Sequence, residues 1–166
     1  MKQNPLTLPI VGGSLSLICF FLPWFKLDMS ALAAGFPETN LQDSITVSGF
    51  RLVGNGATFE VLTFLATLTI LGVCIYMLKQ DTPWKSKIPV LISSGFGFLY
   101  ISIGVILFSI ADLRMGSALL EFSPDVDIGK ILSLQFGVFG VIIGYVLAFI
   151  GALNIPADST PNVVNE

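Results

Sequence analysis

The sequence predicts an all-α membrane protein, a bundle of four transmembrane helices with a small extracytoplasmic β element between the first two. Three observations predict it. Four long apolar runs carry no charge in their interiors. Only 11% of the 166 residues are charged while 54% are hydrophobic, where a soluble chain carries about 25% charge. Period-two alternation marks the ends of the first long connection. So few charges cannot coat a water-facing surface, and lipid is the expected solvent for most of the chain.

The runs are Leu8–Phe25, Phe59–Leu78, Ile88–Ala111 and Ile131–Leu153. Each exceeds or approaches the ~20 residues that a helix needs to cross a ~30 Å hydrocarbon core. Lys2 before the first run and Ala31-Leu32-Ala33 after it have the layout of a cleavable leader. That run outlasts an ordinary leader core, and the small residues lie well beyond Trp24 and Lys26, so it reads as a retained span. Ile18 precedes Cys19, where a lipoprotein signal takes a small residue.

Local chemistry supports these boundaries. Trp24 and Trp84 stand where interface anchors belong. Thr82-Pro83 has the form of an N-cap and first-turn proline. Thr58 precedes the second run, with Glu60 in the first turn, where the helix dipole favours an anion. Asp125 and Asp127 fit the same role ahead of the fourth run. They also resemble part of a calcium loop, but the later ligands are missing.

Basic residues set the expected orientation. Lys79, Lys85 and Lys87 share the short connection between the second and third runs, and Lys2 falls on the same side. The connections 26–57 and 112–130 are acidic on balance and are expected to face outward. Residues 1–155 form one domain in this reading, with a disordered cytoplasmic tail at 156–166. The expected location is the plasma membrane, both termini cytoplasmic.

In the first outward connection, Phe25, Leu27 and Met29 alternate with Lys26 and Asp28, as in a half-buried strand. Ile45–Val53 is rich in β-branched and aromatic residues and reads as its antiparallel partner. Gly49 suits a bulge or a close backbone approach, and Gly54-Asn55-Gly56 a turn. Between them, Gly35 and Pro37 argue against a continuous strand. The segment Phe21-Leu22-Pro23-Trp24-Phe25, the Ser48-Gly49-Phe50 loop, the short basic connection and the final hairpin together resemble small bacterial four-helix membrane proteins whose layout is similar to claudins. The resemblance spans Leu8–Leu153 at the level of topology. The loop lacks the cysteine pair and Gly-Leu-Trp stretch of claudins, so no functional residue is carried over.

Small residues give the sharpest pattern. Gly140, Gly144 and Ala148 are spaced by four on the fourth run, and Gly137, Gly144 and Gly151 by seven. Ser93, Gly97 and Gly104 offer similar spacings on the third. Such stripes let helices approach closely. They serve either packing within this chain or docking of another copy or subunit. Gln135, Tyr145 and Tyr100 are the notable polar groups of these runs, expected to hydrogen-bond between helices, or in a second reading to line a solute path.

The chain has no histidine and no basic block. Its two cysteines, Cys19 and Cys74, sit in apolar runs and read as small buried hydrophobes. No nucleophile–base pair, phosphate-binding glycine loop or metal-ligand cluster is legible, and Ser93, Ser94 and Ser102 have no base to activate them. No ionisable group lies deep in a run, where ion-coupled transporters place theirs, and Asp112 sits near the outer interface, where it stays hydrated. The expected function is therefore a non-enzymatic structural or accessory subunit without cofactor or metal. It would contact lipid and other membrane proteins, or itself, through the third and fourth helices and the first loop. Nucleic acid is not an expected partner. The alternative is a small oligomeric channel or transporter; a membrane-embedded enzyme ranks third.

Overall fold

The computed structural model describes residues 4–28, 44–79, 87–122 and 132–155. Its first helix, α1, runs Thr7–Phe21. It stops short of the expected Phe25 because Pro23 disfavours helical geometry at Leu22, which is extended at φ −78° and ψ 159°. The chain passes directly into strand β1, Pro23–Asp28. Strand β2, Ser44–Ser48, pairs with it antiparallel, Phe25 opposite Val47 and Leu27 opposite Ile45.

The strand expected to continue to Val53 ends at Ser48 instead. Gly49–Gly54 is a short helix, α2, and the Ser48 hydroxyl caps it by accepting from the Arg51 amide at 3.3 Å. A serine cap satisfies an otherwise orphaned amide, and Phe50, Arg51 and Leu52 then lack the β-branching that holds Ile45, Thr46 and Val47 extended. Asn55 and Gly56 make the turn, Gly56 at φ +75°. Helix α3 follows as Thr58–Lys79. It starts on Thr58 itself, so this threonine is the first helical residue rather than the cap.

Helix α4 is 35 residues long, Ile88–Phe122. It continues well past Ala111, where an outward loop was expected. Asp112 and Arg114 end the apolar run but not the helix: Leu, Arg, Met, Ala and Glu are good helix formers, and no proline intervenes before Pro124. Leu132–Leu134 forms β3, which pairs antiparallel with β1, Lys26 opposite Ser133. The fourth run therefore opens as a strand, and its helix α5 is Phe136–Leu153, with Gln135 at the N-cap position. This displaces Asp125 and Asp127 from the capping role expected of them at that helix. Those aspartates, Trp84, Thr82-Pro83, the stretch 29–43 and the tail 156–166 lie outside the described residues.

The sheet has the order β2-β1-β3. It joins the end of α1 to the start of α5, and all three strands sit at one end of the helices. α1 lies along α5 and also touches α3; α4 packs on α3 and α5. Among the described residues, three helices are long and apolar enough to cross a membrane: α3, the Ile88–Ile110 part of α4, and α5. The apolar α1, at 15 residues, is shorter. The chain is thus mostly helical with a small three-stranded sheet, and α5 is its most enclosed helix.

Candidate functional site

The glycine stripe of α5 is where α1 sits. A Cβ placed on Gly144 would lie 2.6 Å from the Gly12 carbonyl oxygen and 2.9 Å from the Ser16 amide nitrogen. One on Gly140 would strike the Cys19 sulfur, and one on Gly151 would lie 2.7 Å from the Pro9 nitrogen. In return, a Cβ on Gly12 would lie 2.6 Å from the Ala148 nitrogen. The Ser16 hydroxyl donates to the Val141 carbonyl at 3.2 Å. Two helix backbones meet here with only small side chains and the Pro9 ring between them, and close dispersion contact then holds the pair. Gly137, Gly140, Gly144, Ala148 and Gly151 are brought together, and this chain's own first helix fills the stripe.

The partner half of this seam is Gly12, Ser16 and Cys19, of which the sequence reading reaches only Cys19, as a small buried hydrophobe. The signal for all three was present, since small residues recur there at spacings of four and three. Cys19 and Cys74 are both free and buried. Cys19 lies toward the sheet end of α1, whereas Cys74 lies toward the far end of α3, so the two occupy different depths.

On α4 the buried stripe is Val90, Ser94, Gly97 and Ile101. Ser93 is only half-buried; the Ser94 hydroxyl instead donates back to the Val90 carbonyl at 2.7 Å. Gly97 faces the Tyr145 ring, where a Cβ would lie 2.8 Å from the phenolic oxygen. Gly104 is less crowded, its nearest neighbour being the Phe59 Cβ at 3.9 Å.

Tyr145 reaches past Gly97 into the centre of the helices and is fully buried. Its hydroxyl donates to the Thr63 carbonyl and lies 2.7 Å from the Thr67 hydroxyl. The phenol has one proton; with that proton on the carbonyl, Thr67 is the donor to the phenolic oxygen. Thr63 in turn donates to the Phe59 carbonyl at 2.6 Å. Among the described residues, no buried side-chain nitrogen or oxygen lacks a partner. Among the described residues Gln135 makes no link between helices: its side-chain amide donates to the Ser133 hydroxyl at 2.9 Å and its backbone amide to the Trp24 carbonyl at 2.8 Å. Tyr100 makes ring contacts with Phe59 and Phe96.

Trp24 is not an anchor facing headgroups. It is 1% exposed, and its indole N–H donates to the Cys19 carbonyl at 2.9 Å. Gly49 and Gly137 clear space on its two sides, since a Cβ on either would collide with the ring. Phe20 packs on it with ring centroids 4.9 Å apart. The indole thus pins the sheet, α2 and the start of α5 to the end of α1. Beside it lies a narrow cleft between β1, α3 and α4, lined in part by Phe25, Phe59, Glu60 and Tyr100. A second, wholly apolar groove of about 350 Å³ runs between α4 and α5 along Phe98, Val146, Phe149 and Ile150.

Among the described residues, no three or more His, Cys, Asp or Glu side chains gather as a metal site. Comparisons with protein-family models, with curated proteins and with solved structures find no match to this chain.

Proposed function

We propose that the chain is a four-span membrane protein of claudin-like layout, acting as a non-enzymatic structural or accessory subunit. α1 is the fourth span in this reading. Its 15 residues cover about 22 Å at ~1.5 Å per residue, and the flanking Pro5-Leu6 and Leu22-Pro23 extend the apolar reach. The carrying observation is the outward face of all four helices. Ile18 on α1, Leu65 and Ile75 on α3, Ile92 and Phe96 on α4, and Phe139 and Ile143 on α5 are each more than half exposed or close to it. In water this belt would be an aggregation surface; in lipid it is the expected exterior.

The basic end, with Lys79 and Lys87, is cytoplasmic by the excess of positive charge there, and the sheet end faces outward. Because α1 occupies the glycine seam, partner contacts fall to the outer sides of α4 and α5 around their apolar groove, and to the sheet. The buried hydroxyls support a structural role, since those of Ser16, Thr67 and Tyr145 bond one helix to another while those of Thr63 and Ser94 bond back to their own helix.

Two measurements test the reading. Purification of the tagged chain in a mild detergent, after brief crosslinking in cells, is expected to yield a complex larger than one chain. A strictly monomeric particle that brings no other protein with it counts decisively against an accessory role. Labelling intact cells with a membrane-impermeant maleimide is expected to modify Thr46→Cys and to spare Lys79→Cys; the reverse pattern overturns the orientation.

A further inference from the structure

We propose that the cleft beneath the sheet binds a primary ammonium group, the head of an aminophospholipid such as phosphatidylethanolamine. The proposal rests on the membrane reading above, which places this end of the helices at headgroup level. Three observations define the ligand: charge, an aromatic lining and size.

Glu60 is the one ionisable carboxylate lining the cleft. It is half-buried, and among the described residues it has no ion-pair or hydrogen-bond partner. Lys26, the nearest basic residue in sequence on β1, follows Phe25 and so lies on the opposite face of the pleat. The Glu60 charge already meets the dipole at the start of α3, so a further anion is disfavoured there and a cation favoured.

Aromatic residues line the same cleft as this carboxylate. Phe59 and Tyr100 have centroids 6.5 Å apart, as do Trp24 and Phe25. A cation seated among these side chains is attracted by any ring face it meets within ~6 Å. The open space is about 10 Å³, room for about one water-sized group. An –NH₃⁺ head has that size; a trimethylammonium group does not. A divalent metal is a poor fit, since Ca²⁺ takes about 6–8 oxygen ligands and the cleft offers one carboxylate.

The test is native mass spectrometry of the full chain, released from detergent with equal phosphatidylethanolamine and phosphatidylcholine present. The ethanolamine lipid is expected to be retained about tenfold more, equivalent to ~1.4 kcal/mol. Glu60→Gln should abolish the preference. Phe59→Leu, which leaves the charge in place, should weaken it. Equal retention of both lipids by the native chain, or an undiminished preference in Glu60→Gln, overturns the proposal. Free ethanolamine separates the two sources of an ammonium: if it raises the melting temperature as much as the lipid does, the lipid assignment fails. Resistance of both variants to alkaline extraction from membranes reports the membrane reading separately.

Discussion

Gly144→Ala is the sharpest probe of the α1–α5 seam. The new methyl would sit 2.6 Å from the Gly12 carbonyl oxygen, whereas ordinary contact begins at 3.4 Å. Three atoms stand in the way: the Ser16 hydroxyl, which can rotate aside only by giving up its bond to Val141, and the Gly12 carbonyl oxygen and the Ser16 amide nitrogen, which are backbone and which no rotamer change moves. The helices must separate by about 0.8 Å, the difference between those distances. That carries the 3.2 Å bond from Ser16 to Val141 beyond useful reach. Overpacking of this kind costs about 1–3 kcal/mol, and the lost hydrogen bond about 1 kcal/mol. Against this, alanine gains up to ~1 kcal/mol of helix propensity over glycine. The net expectation is a loss of about 2 kcal/mol, or roughly 4–8 °C in melting temperature at this chain length. The assay is thermal unfolding in a mild detergent, followed by helical circular dichroism. Gly72→Ala is the control, because a Cβ there meets nothing within 4 Å; it should be neutral or slightly stabilising. If Gly144→Ala matches Gly72→Ala, α1 does not rest on this stripe and the account of the seam is wrong.

Tyr145→Phe should lose about 0.6–1.7 kcal/mol, and combining it with Thr67→Val should cost less than the sum of the two single changes. Strict additivity in detergent unfolding would mean that these hydroxyls do not share a bond. With Trp84→Phe, the chain retains Trp24 as its single tryptophan. Its emission should be blue-shifted and barely quenched by acrylamide; strong quenching would contradict an indole sealed between Gly49 and Gly137.

The sequence and the fold agree best where solvent alone decides the structure. The limits of α3 and the start of α4 follow from hydropathy, because those helices leave the apolar layer and end or begin together with it. The first and fourth runs departed from expectation at the ends that meet the sheet. Hydropathy reports what surrounds a residue, not whether its backbone is coiled or extended. Pro23 carried the local signal for the end of α1, while Leu132-Ser133-Leu134 is too short for its alternation to outweigh the run behind it. The stripe on α5 was legible because its small residues recur at fixed spacings among large apolar ones. The buried face of α4 was placed one residue away, at Ser93 rather than Ser94, since its neighbours are apolar all round and offer no contrast. The seat of Trp24 depended on Gly49 and Gly137, which are distant in sequence and meet only after folding.

The Ser16–Val141 contact spans 125 positions of the chain, so an early helix takes its seat on one made much later. At ~5–20 residues per second, α1 waits about 6–25 s for α5 to be made. During that interval the backbone around Gly12 is uncovered, open to any neighbouring small-residue helix. A chain stalled before α5 keeps that surface open indefinitely. Quality control that recognises such an unfilled groove would sort unfinished copies from finished ones by this single feature.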